Sequence, residues 1–327
     1  MSVSRIDIDA AQRRLAGNVL RTPLLSSPYL DEIAGRKLLI KAECLQHTGS
    51  FKFRGAWSAI SALTPEARKR GILAYSSGNH AQGIALAAKM HDAPAVIVMP
   101  HDAPAVKREN TLALGAEIVP YDRASQSREE IGQRLAEERG LTLIRPYDEP
   151  MVIAGQASVG VEIAEQAAEI RLREADVLVP CGGGGLTAGI ALALDAHAPG
   201  MRARPVEPEG FDDMARSLAS GAAQRNAAMS GSLCDAIVTP TPGEVTFPIV
   251  KRLCGAGMVV SDDEALQAMV YAFKRLRLVV EPGGAVALAA ALFHGNDLAA
   301  DHAIVVISGG NVDADLFCKT LDRFANL

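Results

Sequence analysis

The chain has 327 residues, of which 49% are hydrophobic and 22% charged, so it carries enough apolar material for the cores of two domains. Its formal net charge is −5 and no basic cluster occurs, which argues against nucleic acid as the main partner. Neither a signal peptide nor an apolar run of about 18 residues is evident, so we expect a cytoplasmic protein with no membrane contact.

The cysteines give no sign of a metal site or a disulfide framework. They are five in number, an odd count, and they are scattered without the spacing of metal ligands. We therefore predict reduced thiols that serve as small core residues. They are Cys44, Cys181, Cys234, Cys254 and Cys318.

A lysine between two phenylalanines marks the first part of the chain. The pattern predicts a helix over 7–16, a strand over 36–41 and a helix that ends near Ile60. Lys52, between Phe51 and Phe53, falls at the start of that last helix. Burial by aromatic rings and the positive end of a helix dipole would both lower its pKa and make the amine nucleophilic. An ordinary surface lysine fits this stretch equally well.

Strands and helices alternate about every 25 residues from Ile72 to Arg145, which predicts a parallel sheet. We place a small inserted domain at 67–148 and a large domain at 1–66 and 149–327. The sequence SSGNH at 76–80 falls at a turn from strand to helix. Its N–H groups and hydroxyls suit an anion such as a carboxylate, although a plain helix cap is the competing interpretation.

Four consecutive glycines form the strongest single signal. They are Gly182, Gly183, Gly184 and Gly185, between a short apolar strand that ends at Pro180 and a helical pattern that reaches Leu194. Strand, glycine loop and helix together predict a phosphate-binding loop, because exposed N–H groups and the helix dipole favour an anion. A flexible surface loop is the alternative. The frame Gly183-x-Gly185-x-x-Ala188, with Glu207 beyond it, also fits a dinucleotide-binding fingerprint.

An acidic turn follows the next predicted strand, which covers 201–207. Glu207 and Asp213 stand six residues apart across a Pro/Gly turn, and such carboxylates suit Mg²⁺ or Ca²⁺. A solvated acidic loop is the alternative. The small, polar stretch 220–231 is expected to be mobile, and residues 156–169 are predicted to form the helix that precedes the glycine strand.

Four motifs together resemble the fold-type II pyridoxal-phosphate enzymes, in particular the group of serine/threonine dehydratases and serine racemases, which includes 3-hydroxyaspartate dehydratases. They are SFKFRGA at 50–56, SSGNH at 76–80, the four glycines, and SGGN at 308–311, in the family's order. The resemblance implies an α/β fold with two open, mostly parallel twisted sheets flanked by helices. It also implies that the glycine loop binds the phosphate of pyridoxal phosphate and no dinucleotide.

The resemblance assigns a role to each motif residue. Lys52 would form the Schiff base with the cofactor, Phe51 would pack near the ring, Asn79 would bond the 3-hydroxyl and Ser308 would lie at the pyridine nitrogen. The substrate carboxylate would be bound by residues of the second motif. These are Ser76, Ser77, Asn79 and His80.

Further positions match residues of the racemase-like members. Ser77 matches a serine that can return a proton from the face opposite Lys52, Arg128 matches an arginine near the far end of the substrate, and Thr239 lies near a matching hydroxyl. A solvated helix residue is the alternative for Arg128. A divalent cation, Mg²⁺, Mn²⁺ or Ca²⁺, is implied at Glu207, the carbonyl of Phe211, and Asp213.

These observations predict a homodimeric ammonia-lyase that acts on a small 3-hydroxy amino acid. L-Threonine or L-serine would be converted to a 2-keto acid and ammonia. Dehydration of 3-hydroxyaspartate to oxaloacetate and ammonia is the alternative, as is racemisation of serine or aspartate. If Arg128 faces the pocket, a second substrate carboxylate becomes attractive, because arginine binds carboxylates bidentately. A nicotinamide oxidoreductase is the rival from another class.

Overall fold

The computed structural model describes residues 5–76, 78–103, 105–122, 125–228 and 230–327. Within this part of the chain, ten strands form two sheets with helices packed on them. The strands are β1 (Leu24–Ser26), β2 (Lys37–Ala42), β3 (Ile72–Tyr75), β4 (Ala95–Pro100), β5 (Glu117–Tyr121), β6 (Thr142–Leu143), β7 (Ala175–Pro180), β8 (Met201–Pro208), β9 (Met258–Val260) and β10 (His302–Ile307).

Fourteen α-helices connect and cover these strands in the described residues. They are α1 (Arg5–Leu15), α2 (Pro28–Ala34), α3 (Lys52–Ser61), α4 (Pro65–Arg70), α5 (Asn79–Met90), α6 (Ala105–Ala113), α7 (Arg128–Arg139), α8 (Pro150–Glu169), α9 (Gly185–His197), α10 (Asp213–Ser220), α11 (Thr246–Leu253), α12 (Asp262–Leu276), α13 (Pro282–Phe293) and α14 (Ala314–Arg323).

The larger sheet has six strands in the order β1-β2-β10-β7-β8-β9. All neighbours run parallel except β1, which pairs with β2 in the antiparallel sense. The central strands β7 and β10 are almost wholly buried, as expected when helices cover both faces of a parallel sheet. The smaller sheet has the order β5-β4-β3-β6 and is parallel throughout. The α/β architecture with two mostly parallel sheets is therefore confirmed.

The register of the larger sheet brings two of the motifs together. Strands β7 and β10 are neighbours, with Val305 opposite Leu178. Because parallel strands point the same way, the glycine loop after β7 and the SGGN motif after β10 emerge at the same edge of the sheet. In open α/β sheets, this carboxyl edge is where ligands bind.

One predicted boundary is wrong. Helix α8 begins at Pro150, whereas the sequence indicates a connection up to Gly155. Pro150 suits the first turn of a helix, where its missing N–H costs nothing. A Cβ at Gly155 would lie 2.6 Å from the Arg54 carbonyl and 2.6 Å from the Ser58 Cβ. The glycine that suggested a loop is therefore required for close packing of α8 on α3.

Four of the five cysteines are buried free thiols, as predicted, but Cys318 is exposed on α14. No described helix combines the length and apolar character needed to cross a lipid bilayer.

Candidate active site

A cavity opens at the carboxyl edge of the larger sheet, where the first turns of α3, α5, α9 and α13 converge. It gathers all of the cofactor residues predicted from the sequence. Lining residues already singled out are Phe51, Lys52, Asn79, Gly182, Gly183, Gly184, Gly185, Thr239 and Ser308. Lining residues that sequence reasoning missed include Tyr147, Gln156, Thr187 and Glu281.

Lys52 is the first residue of α3, and its amine points into the cavity. The Nζ atom lies 5.2 Å from the centroid of the Phe51 ring and donates a 2.9 Å hydrogen bond to the Pro146 carbonyl. Burial lowers the pKa of Lys52 to about 8, and the Glu281 carboxyl opposes this shift. A larger fraction of this amine is therefore neutral near physiological pH than in an ordinary lysine, as a nucleophile requires.

The glycine loop is built so that only glycine fits. A Cβ on Gly183 would lie 2.2 Å from carbons of the Tyr147 ring, and Gly184 adopts a φ of +91°. The Thr246 hydroxyl stabilises the loop conformation by donating a 2.6 Å hydrogen bond to the Gly183 carbonyl. Gly184 is the N-cap of α9 and supplies no side chain to the N–H groups of the first turn. These groups are therefore left for a ligand, and the arrangement suits a phosphate group.

Asn79 and Glu281 meet on the cavity wall. The Nδ2 atom of Asn79 donates a 2.6 Å hydrogen bond to the Glu281 carboxyl, and its Oδ1 accepts one of 2.7 Å from Asn311. Burial raises the pKa of Glu281 to about 7, and Asp235 adds to the shift, while Asn79 and two lysines oppose it. A Cβ on Gly309 would lie 2.1 Å from Glu281 Oε1, so this glycine makes room for the carboxyl.

Ser308 lies beside the Lys52 segment. It is buried directly after β10, and its carbonyl accepts a 3.1 Å hydrogen bond from the Phe51 N–H. The backbone therefore fixes Ser308 next to Phe51 at the cavity. Its predicted position at the pyridine nitrogen stays a prediction.

Of the SSGNH segment, Asn79 lines the cavity, whereas the His80 side chain is buried and its Nε2 lies 3.1 Å from the Ile144 carbonyl. Since a carbonyl only accepts, Nε2 carries the proton, and burial beside Lys52 lowers the pKa of His80 to about 3. The group of His80 available to a substrate carboxylate is therefore its backbone N–H, and the expected binding of that carboxylate by this segment stays a prediction. The Ser76 hydroxyl accepts from Gly78 N–H at 3.2 Å, and Ser77 lies outside the described residues.

Arg128 opens α7 and does not line the cavity. Its guanidinium lies 5.3 Å from the centroid of the Tyr75 ring and 2.8 Å from the Glu129 carboxylate. Tyr75 is the last residue of β3, directly before the SSGNH segment. Arg128 is thus close to the site, with its charge already paired at the surface.

The acidic turn is buried, so its interpretation as a solvated loop is wrong. Glu207 and Asp213 are 0% and 1% exposed. The Glu207 carboxylate accepts hydrogen bonds of 2.9 and 2.7 Å from the N–H groups of Met214 and Ala215, whereas Asp213 Oδ2 has no partner among the described residues. Burial and the Asp213 charge hold the pKa of Glu207 well above its usual range, and burial raises the pKa of Asp213 to about 6.

An unpartnered carboxylate oxygen beside a second buried carboxyl is the kind of arrangement that a cation relieves. In the part of the chain that the structure describes, no three His, Cys, Asp or Glu side chains gather as metal ligands. A cation at Glu207 and Asp213 would therefore also need oxygen from the backbone, as the Phe211 carbonyl could supply, or from water.

The cavity fits pyridoxal phosphate. It combines a buried lysine amine of lowered pKa, an anion-binding glycine loop at a helix N-terminus, and a buried serine on the same sheet edge. Each of these features has a matching group on the cofactor, namely its carbonyl, its phosphate and its ring nitrogen.

Comparison with known proteins agrees with this geometry. Residues 15–310 match the family model described as pyridoxal-phosphate dependent enzyme. The chain is 41% identical to the L-threo-3-hydroxyaspartate ammonia-lyase of Saccharomyces cerevisiae, over 94% of this chain and 93% of that one. It is 39% identical to a serine racemase of Oryza sativa subsp. indica, covering 96% and 92%. The crystal structure of the T.th. threonine deaminase superposes with a TM-score of 0.89 at 45% identity, covering 95% and 99%.

Proposed function

Since the chain belongs to the pyridoxal-phosphate dependent enzymes, we propose that it is a carbon–nitrogen lyase that removes ammonia from a small 3-hydroxy amino acid. The observation that carries the proposal is the Lys52 amine, withdrawn from water in one cavity with the glycine loop and Ser308. The product would be a 2-keto acid. L-Threonine and L-serine are the first candidate substrates.

The cofactor would be held by residues already on the cavity wall. The four glycines would bind the phosphate, and Ser308 would lie at the ring nitrogen. Lys52 would bond to the carbonyl carbon, with Phe51 packed beside the ring. Bound pyridoxal phosphate withdraws electrons from the substrate Cα and so makes its proton acidic.

The protein would supply the base and the orientation. The neutral Lys52 amine would take the Cα proton, a task for which a pKa near the working pH is best suited. The substrate carboxylate would lie against the first turn of α5, where the N–H of His80 would bind it together with Ser76 and Ser77. Asn79, held between Glu281 and Asn311, would fix the ring orientation.

3-Hydroxyaspartate is the alternative substrate, and two observations support it. A relative at 41% identity carries the name L-threo-3-hydroxyaspartate ammonia-lyase. Arg128 also lies on the ring of Tyr75, directly before the SSGNH segment, and a turn of its side chain away from Glu129 would free a guanidinium for a second carboxylate.

The test is an assay of 2-keto acid release from L-threonine, L-serine and each isomer of 3-hydroxyaspartate, with Lys52→Ala as the inactive control. We expect turnover of at least one substrate and none by the variant. Absence of keto acid with every substrate, from protein that carries the cofactor, would refute the lyase. A protein that instead purifies with NAD(H) would favour the oxidoreductase.

Racemisation is a second candidate activity, since a relative at 39% identity is a serine racemase. Ser77 is the proposed acid on the face opposite Lys52. We expect Ser77→Ala to reduce racemisation of L-serine much more than elimination, both measured in the same reaction. Equal losses would leave Ser77 with carboxylate binding alone.

Three further features belong to the same proposal. Mg²⁺, Mn²⁺ or Ca²⁺ would bind Glu207, the Phe211 carbonyl and Asp213 and would order this part of the fold without touching the substrate.

Residues 67–148, which contain the smaller sheet, would form the domain that closes over the substrate. A homodimer is supported by Tyr29 and Ile33, exposed apolar side chains one turn apart on α2, and light scattering would test it.

A further inference from the structure

Asn226 is a buried amide in a stretch expected to be mobile. It lies in the small, polar segment after α10, yet it is only 6% exposed. Both the oxygen and the nitrogen of its side chain are hydrogen-bonded. Burying an amide at this depth requires such partners, so the segment is fixed in place at this residue.

The bonds of Asn226 define which way the amide points. The Arg216 guanidinium can only donate, so the atom of Asn226 that faces it is the Oδ1 acceptor. Nδ2 then donates 2.6 Å to Asp213 Oδ1 and 2.8 Å to the Thr239 carbonyl. The backbone N–H of Asn226 donates 2.9 Å to the Pro240 carbonyl. One residue thus ties α10 to the 239–240 segment at two successive carbonyls.

Thr239 is the part of that segment that reaches the cavity. Its Oγ1 is buried and has no hydrogen-bond partner in the described part of the protein. A Cβ on Gly182 would lie 3.2 Å from its Cγ2, so the methyl group packs against the glycine loop. A hydroxyl buried without a partner is costly, and Thr239 lines the cavity, so a molecule bound there is the candidate partner for this hydroxyl.

We propose that Asn226 is a positioning residue that holds Thr239 so that its hydroxyl meets the bound substrate. The inference rests on the proposed lyase function, because it needs a substrate in this cavity. Asn226 itself does not line the cavity, and its contacts with the 239–240 segment are the hydrogen bonds to the Thr239 and Pro240 carbonyls. Loss of its amide side chain removes the hydrogen bond to the Thr239 carbonyl and allows the 239–240 segment at the cavity to move.

The expected signature is a change in KM with little change in kcat. A single neutral hydrogen bond contributes about 0.5–1.5 kcal/mol, which corresponds to roughly a 2- to 10-fold change in binding. We expect Asn226→Ala to raise KM within that range. The value of kcat should stay within about twofold, since the base at Lys52 is untouched.

The experiment compares four holoenzymes: wild type, Asn226→Ala, Thr239→Ala and the double variant. If Asn226 acts through the Thr239 hydroxyl, removing that hydroxyl first should leave Asn226→Ala with less than about a twofold effect on KM. Gln166→Ala is the matched control, since Gln166 is 7% exposed and its amide also bonds a carbonyl, that of Thr22. We expect this control to lower thermal stability without raising KM.

An unchanged KM in Asn226→Ala would overturn the inference. It would also be overturned if Asn226→Ala raised KM by the same factor in wild type and in Thr239→Ala. Should Asn226→Ala fail to fold, Asn226→Ser keeps one short donor and is subject to the same comparison. Wild-type protein that turns over no amino acid would refute the proposed function instead, so the two failures are distinct.

Discussion

The Nδ2 atom of Asn79 donates a 2.6 Å hydrogen bond to Oε1 of Glu281, although the two residues are 202 positions apart. The bond joins the first turn of α5, which packs on the smaller sheet, to the residue that precedes α13, which packs on the larger sheet. It also sets how Asn79 faces the cavity, because the other end of its amide accepts from Asn311. The carboxyl of Glu281 therefore belongs to the site even though it need not touch the cofactor.

Replacing Glu281 should change how stability depends on pH. Burial raises the pKa of Glu281 to about 7, so between its usual pKa of 4.5 and that value the folded protein binds the proton more strongly than the unfolded chain. Stability from this group is complete at low pH and is lost as the pH rises through 7. The unfolding free energy of Glu281→Gln relative to that of wild type should therefore increase by about 3 kcal/mol between pH 5 and pH 8.

Urea unfolding of the cofactor-free proteins at both pH values measures this difference. Glu117→Gln, which removes a surface carboxylate paired with Arg139, is the control and should show no comparable gain. A constant difference between Glu281→Gln and wild type would contradict the raised pKa.

The pKa of Lys52 predicts how the apoenzyme takes up its cofactor. Burial lowers this pKa to about 8, and only the neutral amine attacks a carbonyl carbon. The rate of loading with pyridoxal phosphate should rise with pH and reach half of its plateau near pH 8. Stopped-flow absorbance of the bound cofactor follows the reaction. A rate that keeps rising towards pH 10.5, the usual value, would show that Lys52 is not withdrawn from water.

Gly183→Ala should damage the phosphate loop. The new Cβ would lie 2.2 Å from carbons of the Tyr147 ring, so the ring must move or the loop must shift. We expect a loss of about 1–3 kcal/mol in unfolding free energy, typical of overpacking, and weaker retention of pyridoxal phosphate on dialysis. Gly255→Ala is the control, since its Cβ would come no closer than 3.1 Å to the nearest atom, the Arg204 Cγ. Full cofactor retention in Gly183→Ala would argue against a tight loop.

Arg128→Gln separates the two candidate substrates. Loss of the guanidinium should lower kcat/KM for 3-hydroxyaspartate by about 10- to 100-fold, since charged hydrogen bonds contribute roughly 1.5–3 kcal/mol. The value for L-threonine should change little. Arg134→Gln, on the same helix and exposed, is the control. Equal effects on both substrates would show that Arg128 does not bind the second carboxylate and is a surface residue paired with Glu129.

Chelation tests the buried acid pair. Two carboxyls with raised pKa values and one unpartnered oxygen should be stabilised by a bound cation, increasingly so as its concentration exceeds its dissociation constant. We expect EDTA to lower melting temperature and activity together, Mg²⁺, Mn²⁺ or Ca²⁺ to restore both, and Asp213→Ala to make the protein insensitive to either treatment. No change after exhaustive chelation, with no metal by elemental analysis, would rule out the cation.

Local patterns in the sequence determined the architecture and the core of the site. A buried strand followed by glycines and a helix is a local arrangement, so the loop at 182–185 and the elements around it were predictable with boundaries close to those observed. The helix start at Lys52 was predictable in the same way, but its role in the site came from the resemblance, because the stretch alone fits a surface lysine equally well. These features are encoded within a few residues, at the periods of strands and helices.

Only the tertiary structure decided which distant side chains meet. Glu281 precedes a proline like many residues before a helix, and no local signal shows that folding brings it to Asn79. The same applies to Asn226, which composition places in a mobile segment and packing buries against Thr239. The sequence likewise could not decide the side-chain partners of His80 and Arg128, which are the Ile144 carbonyl and Glu129. Burial and partner choice depend on how whole elements pack, and the pKa values and the reach of each side chain follow from that packing.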